Sequence, residues 1–208
     1  MLARLASLPL VVGFYYAPGD PSTFDTVQFY DQSYDPAGVG IASEAWSFGD
    51  GATATGCCPR HRYAADGTYT LTLTVTMTDG RTASTSRDLL VRTHDVAVSR
   101  MAVPETARVG QRAAITIGLA NGRYPETVRV QLLKSLPEAG WRYVGVLTRD
   151  VPVRLGGRTT DFEFDYTFAP EDAELREVSF RAVATILGAR DAVRGDNSFV
   201  SLATKVTT

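Results

Sequence analysis

The 208-residue chain contains two cysteines, two histidines and no long apolar run, and each scarcity removes a class of function. No segment reaches the ~20 apolar residues that a membrane-spanning helix requires, so direct membrane insertion is not expected. His61 and His94 are the only imidazoles. No Gly-x-Ser-x-Gly, phosphate-loop or His-Glu-x-x-His pattern accompanies them, so no catalytic residue is assigned and no enzyme is expected. The two cysteines, Cys57 and Cys58, are adjacent, which rules out a disulfide joining two sheets. Net charge is -2, with both signs spread along the chain, so the basic footprint of a nucleic-acid binder is missing. Lysine occurs only at Lys134 and Lys205, and asparagine only at Asn121 and Asn197; this reads as codon bias without functional meaning. The stretch from Met1 to Val12 carries one Arg and some apolar residues in the manner of a signal peptide. Pro9 interrupts it and no small-x-small site follows, so a cleaved signal is not expected.

Helical periodicity is also scarce, while strict alternation is abundant. From Tyr69 to Met77 every odd position is apolar or aromatic, and every even position from Thr70 to Thr78 is Thr. A period of two places one face in a core and a hydroxylated, β-branched face in water. Asp79-Gly80 follows as a hairpin signal, and Thr82–Val91 supplies the return strand, so the Thr-rich strand is expected in the interior of a sheet. Earlier strands are expected at 11–17, 26–32 and 41–48. A second set is expected at 95–101, 112–120, 127–133, 141–147, 159–168, 178–187 and 198–206, with at most one helical turn between Pro170 and Glu177. Strands at this spacing, separated by Pro-, Gly- and Asp-rich turns, give an all-β chain of two tandem immunoglobulin-like antiparallel β-sandwiches. The expected domains are 1–92 and 93–208.

Trp46-Ser47-Phe48-Gly49-Asp50-Gly51 resembles the Trp-Asp-Phe-Gly-Asp-Gly hallmark of PKD (polycystic kidney disease) domains. Phe29-Tyr30-Asp31-Gln32-Ser33-Tyr34-Asp35-Pro36, Pro59-Arg60-His61-Arg62-Tyr63 and Gly67-Thr68-Tyr69 resemble three further elements of that family, over about Phe14 to Val91. The same residues have physical roles of their own. Trp46 suits the space between two sheets. Gly49 and Gly51 flank Asp50 in a tight turn. His61 and Tyr63 read as structural, and Asp66-Gly67-Thr68-Tyr69 as a tyrosine corner. The second domain more loosely resembles the cell-adhesion-related β-sandwich domain found in bacteria, through Asp95-Val96-Ala97-Val98, Ala107-Arg108-Val109-Gly110, Leu155-Gly156-Gly157 and Arg194-Gly195-Asp196-Asn197. Both resemblances imply extracellular spacers or binding modules.

Candidate sites follow from these motifs. The resemblance implies calcium as the one cofactor to consider, with Asp31, Asp35 and Asp50 converging on it; the competing reading is that these carboxylates cap turns. Ser47 and Ala37 depart from the family's acidic positions. Cys57 and Cys58 are either two free thiols or a strained vicinal disulfide. Tyr34, Tyr124 and Trp141, with Tyr15, are candidates to stack on sugars or peptides, and Tyr124 in a Gly/Pro loop is the one expected to be exposed. Arg194-Gly195-Asp196 spells an integrin-recognition tripeptide and is read as a turn. The expected partners are other proteins or surface glycans. Three functions remain open: an adhesion or spacer module of a surface or secreted protein, a decoration protein on a virus particle, and an accessory pair of a secreted hydrolase.

Overall fold

The structure is a computed structural model that describes residues 9–208, so most of the signal-like stretch Met1–Val12 lies outside the described residues. The chain divides between Thr93 and His94 into two compact units, and both are all-β.

Among the described residues the first unit has seven strands: β1 (Phe14–Ala17), β2 (Val27–Asp31), β3 (Ile41–Ser47), β4 (Thr53–Thr55), β5 (Arg60–His61), β6 (Gly67–Met77) and β7 (Thr82–Val91). They form two sheets, β1-β2-β5 and β4-β3-β6-β7. Strand β6 is interior, paired with β3 on one side and with β7 through the Asp79-Gly80 hairpin on the other. Its alternation explains its placement. Leu71, Leu73, Val75 and Met77 are buried, while the intervening threonines bond across the outer face. Thr72 Oγ1 meets Ser86 Oγ at 2.9 Å and Thr74 Oγ1 meets Ser84 Oγ at 2.9 Å. Between the sheets lie Phe14, Val27, Phe29, Trp46, Phe48, Tyr63, Leu89 and Val91.

The second unit comprises β8 (Ala97–Ala102), β9 (Thr106–Arg108), β10 (Arg112–Ala120), β11 (Glu126–Ser135), β12 (Trp141–Val151), β13 (Thr160–Thr167), α1 (Pro170–Leu175), β14 (Glu177–Val178), β15 (Phe180–Ile186), β16 (Ser198–Val200) and β17 (Thr204–Thr207). Its sheets are β13-β10-β8, β12-β11-β15-β16 and a small β14-β17-β9, in which β17 runs parallel to β9. The core is chiefly aliphatic, with Ile115, Ile117, Leu119, Val128, Val130 and Leu132 beside Phe162, Phe168 and Phe180.

A buried ion pair borders that core. Lys134 closes the inward row of β11, and its Nζ donates to Asp172 Oδ1 at 2.6 Å. The Tyr166 hydroxyl donates to Asp172 Oδ2 at 2.6 Å, and the Ala169 amide to the same oxygen at 2.9 Å. Burial alone would neutralise both ions. It is outweighed here: the hydrogen bonds keep the Asp172 carboxyl below its ordinary range and the Lys134 ammonium above its own. The same Asp172 caps the first turn of α1, so one carboxylate joins β11, β13 and the helix.

Candidate binding surfaces

The turn after β3 is held by a ladder of rings. Phe14 lies edge-on to Trp46 at 5.3 Å, Trp46 leans on Phe29 at 5.7 Å, and Phe29 on Phe48 at 5.1 Å. His61 stacks flat on Phe48 at 4.4 Å, Tyr63 meets His61 edge-on at 4.7 Å, and Tyr69 stacks on Tyr63 at 4.3 Å. His61 and Tyr63 are two residues apart, which places both on one side of an extended chain. The polar rims of these rings are bonded as well. His61 Nε2 is 2.6 Å from Asp50 Oδ2, the Tyr63 hydroxyl donates to the Phe48 carbonyl at 3.1 Å, and the Tyr69 hydroxyl donates to the Ala65 carbonyl at 2.8 Å. Gly49 has φ +83°, and a Cβ there would stand 2.8 Å from the backbone N and O of Thr70, so the turn tolerates no side chain at that position. Gly51, at φ +95°, takes the same left-handed conformation but faces open space.

Asp31, Asp35 and Asp50 do not converge, because each is committed locally. Asp31 Oδ1 accepts from the Ser33 amide at 2.8 Å. The Asp35 carboxylate is ion-paired with Arg81 and accepts from the Ala37 amide at 3.0 Å; the Arg81 guanidinium holds it below the ordinary carboxyl range. Partial burial pushes the Asp50 carboxyl up, but hydrogen bonds from His61 and the Ala52 amide more than offset this and leave it lowered. No group of three or more His, Cys, Asp or Glu side chains is poised to hold a metal ion among the described residues.

The candidate aromatics are separated too. Tyr34 is 57% exposed, in the first unit. Tyr124 is half-buried rather than open, with its ring 5.4 Å from that of His94, and His94 Nδ1 in turn lies 2.6 Å from Glu126 Oε1. Trp141 pairs with Ser135 at the far end of β11, some ten extended residues or ~30 Å from Tyr124. Strand register puts different neighbours beside Trp141. On the outer face of β12-β11-β15-β16, Tyr143 stands opposite Leu133, Val146 opposite Gln131 and Val200 opposite Arg181. Tyr143 is 57% exposed and Val200 51% exposed, and the Arg181 guanidinium lies over the Trp141 ring at 5.9 Å. Alternation in β12 alone does not reveal this apolar platform; the β11–β12 and β15–β16 pairings do. In the first unit, Tyr15 and Tyr30 form a stacked cross-strand pair at 4.6 Å on the outer side of β1-β2.

Arg194–Asp196 forms a 3-10 turn, and Asp196 Oδ1 is shielded from solvent without a hydrogen-bond partner among the described residues, as are Asp95 Oδ1 and Asn197 Oδ1. Burial, then the charges of Asp196 and Asp191, push the Asp95 carboxyl up to about 6. Asp196 itself is half-buried, with one of its two carboxylate oxygens shielded.

Two sheets closed over a ladder of rings, with a Gly-Asp-Gly turn at one end, define the first unit as an immunoglobulin-like sandwich. Residues 17–91 match the family model of the PKD domain, and that segment is a PKD domain. Over 161 residues, 76% of this chain, the sequence is 29% identical to a microbial collagenase of Vibrio alginolyticus, and it spans 18% of the length of that relative. Among solved structures, the PKD1 domain of Vibrio anguillarum Epp is 30% identical, with 41% of this chain and 96% of that chain covered and a TM-score of 0.37. The PKD1 domain of the Vibrio cholerae metalloprotease PrtV is 29% identical over 41% of this chain and all of that chain, with a TM-score of 0.37.

Proposed function

We propose that this chain is a non-catalytic binding segment of a larger secreted bacterial protease, working outside the cell to hold the enzyme on a fibrous protein substrate. The carrying observation is the 161-residue alignment with a microbial collagenase, which is longer than either unit and so runs through both. Of the three functions left open by the sequence, this favours the accessory pair of a secreted hydrolase. The second unit's resemblance to the cell-adhesion-related domain supports a binding role as well. The platform around Trp141 and Tyr143 is the contact face in this reading, since a flat sheet face bearing aromatics offers large apolar area at small entropic cost.

Co-sedimentation of the chain with insoluble collagen, chitin and peptidoglycan tests this reading. Retention on collagen, weakened at least tenfold by Tyr143→Ala together with Trp141→Ala, is the expected result. Retention on the polysaccharides alone would replace the protein substrate with a glycan. Retention on none would reduce the pair to a spacer.

A further inference from the structure

The segment Gly56-Cys57-Cys58-Pro59 links β4 to β5, and every carbonyl in it is bonded. The Trp46 indole donates to the Gly56 carbonyl at 2.8 Å, and the Asp31 amide to the Cys57 carbonyl at 3.0 Å. Gln28 Nε2 donates to the Cys58 carbonyl at 2.7 Å, and the Phe29 amide to the Pro59 carbonyl at 3.0 Å. The Gly56 amide donates to the Glu44 carbonyl at 3.1 Å. With the backbone fixed in this way, both thiols project into solvent with their sulfurs 2.8 Å apart. A further approach of roughly 0.8 Å reaches the ~2.05 Å of a disulfide bond.

We infer that Cys57 and Cys58 form a thiol–disulfide exchange site that closes to a vicinal disulfide when it meets an external disulfide, of low molecular weight or on a protein. One thiolate attacks a sulfur of that disulfide and expels its first thiolate, leaving a mixed disulfide. The second cysteine thiolate then attacks the mixed disulfide at the neighbouring Sγ, forming the Cys57–Cys58 bond and expelling the second thiolate. The two electrons reduce the external disulfide, and the two thiol protons, passed through solvent, end on the two expelled thiolates as two thiols. The second step is intramolecular between groups already in contact, so it outruns capture of a second external disulfide. Adjacent Cα atoms lie ~3.8 Å apart, against the usual ~4.4–6.8 Å of bridged pairs, so the ring is strained and mild reductants reopen it. The Cys58 thiol is pushed up chiefly by its contact with Cys57 and further by the charges of Glu44 and Asp31, so exchange quickens as pH rises, and this acidic setting favours an uncharged disulfide as oxidant.

Treatment of the whole, reduced chain with neutral dithiodipyridine tests the inference. Ring closure releases two thiopyridones per chain, leaves no adduct and lowers the intact mass by about 2 Da, the two hydrogens lost. Cys57→Ser and Cys58→Ser each retain a single thiopyridyl adduct, because no neighbour displaces it. Two persistent adducts on the wild-type chain, or covalent dimers, would overturn the proposal. Amide exchange at Phe29 and Asp31 stays unchanged on closure if the turn is as firmly held as its bonds imply; faster exchange there would show that the ring forms only by breaking the turn.

Discussion

The two sandwiches solve the same packing problem with different chemistry. The first fills its interior with a run of contacting rings, Phe14, Trp46, Phe29, Phe48, His61, Tyr63 and Tyr69, and ties their polar rims to nearby backbone and to Asp50. The second relies on aliphatic alternation and buries an ion pair in the group of Lys134, Asp172 and Tyr166. Rings of fixed size and direction need fixed residues at fixed spacings, so the first unit carries a motif. Aliphatic side chains exchange for one another at small cost, so the second carries a pattern that many sequences satisfy.

Breaking each device exposes the contrast most sharply. Asp172→Ala leaves an ammonium buried without its partner and lowers the stability of the second unit by about 3–5 kcal/mol, measured by denaturant unfolding. A Lys134→Met, Asp172→Leu double variant recovers only part of that loss, since it removes the stranded charge but leaves the Tyr166 hydroxyl and the Ala169 amide without their acceptor. Trp46→Ala costs the first unit a comparable ~3–5 kcal/mol, and here no second substitution compensates, because the loss is volume rather than charge.

Asp50→Asn has a smaller effect, about 1.5 kcal/mol, since it weakens a charge-assisted bond at a partly exposed site. The sign of its pH dependence follows from the lowered carboxyl. That contribution is present above the unfolded value near 3.8 and is lost as pH falls through the lower folded value, so wild type and variant converge in strong acid. Tyr69→Phe removes one hydroxyl bond to the Ala65 carbonyl and costs roughly 0.5–1.5 kcal/mol. Asp95→Asn acts in the opposite direction. The folded carboxyl titrates at about 6, above its unfolded value, so the native state binds the extra proton and the ionised acid destabilises the fold as pH rises between the two. The variant therefore melts higher than wild type at pH 7 and equally below about pH 4 by calorimetry.

How much of this was legible in the sequence follows from the same contrast. The central position of β6 was readable, because the Thr alternation fixes its faces and Asp79-Gly80 fixes its partner. The bond from Asp35 to Arg81 was not: both residues look like ordinary turn residues, and 46 positions separate them. The Lys134–Asp172–Tyr166 group was equally hidden, since a period of two says that Lys134 points inward without saying what awaits it. Strand β4 is three residues long, too short to show a period, and the parallel pairing of β9 with β17 joins opposite ends of the second unit. Tyr124 and Trp141 are separate candidates in the sequence, and only the pairing of Trp141 with Ser135 at the far end of β11 shows how far apart the fold sets them.

The chain has two tryptophans, and the fold assigns one to each unit in contrasting surroundings. Trp46 is 2% exposed, with its indole nitrogen bonded to the Gly56 carbonyl, whereas Trp141 is half-buried on a sheet face beneath the Arg181 guanidinium. Each unit therefore carries its own fluorophore, one emitting from an apolar interior and one from a partly wet surface. Single Trp→Phe replacements would separate the two signals, so the melting of either sandwich can be watched within the intact chain, and Trp46 emission, one hydrogen bond from the Gly56-Cys57-Cys58 turn, would report on the cysteine pair as its sulfurs join.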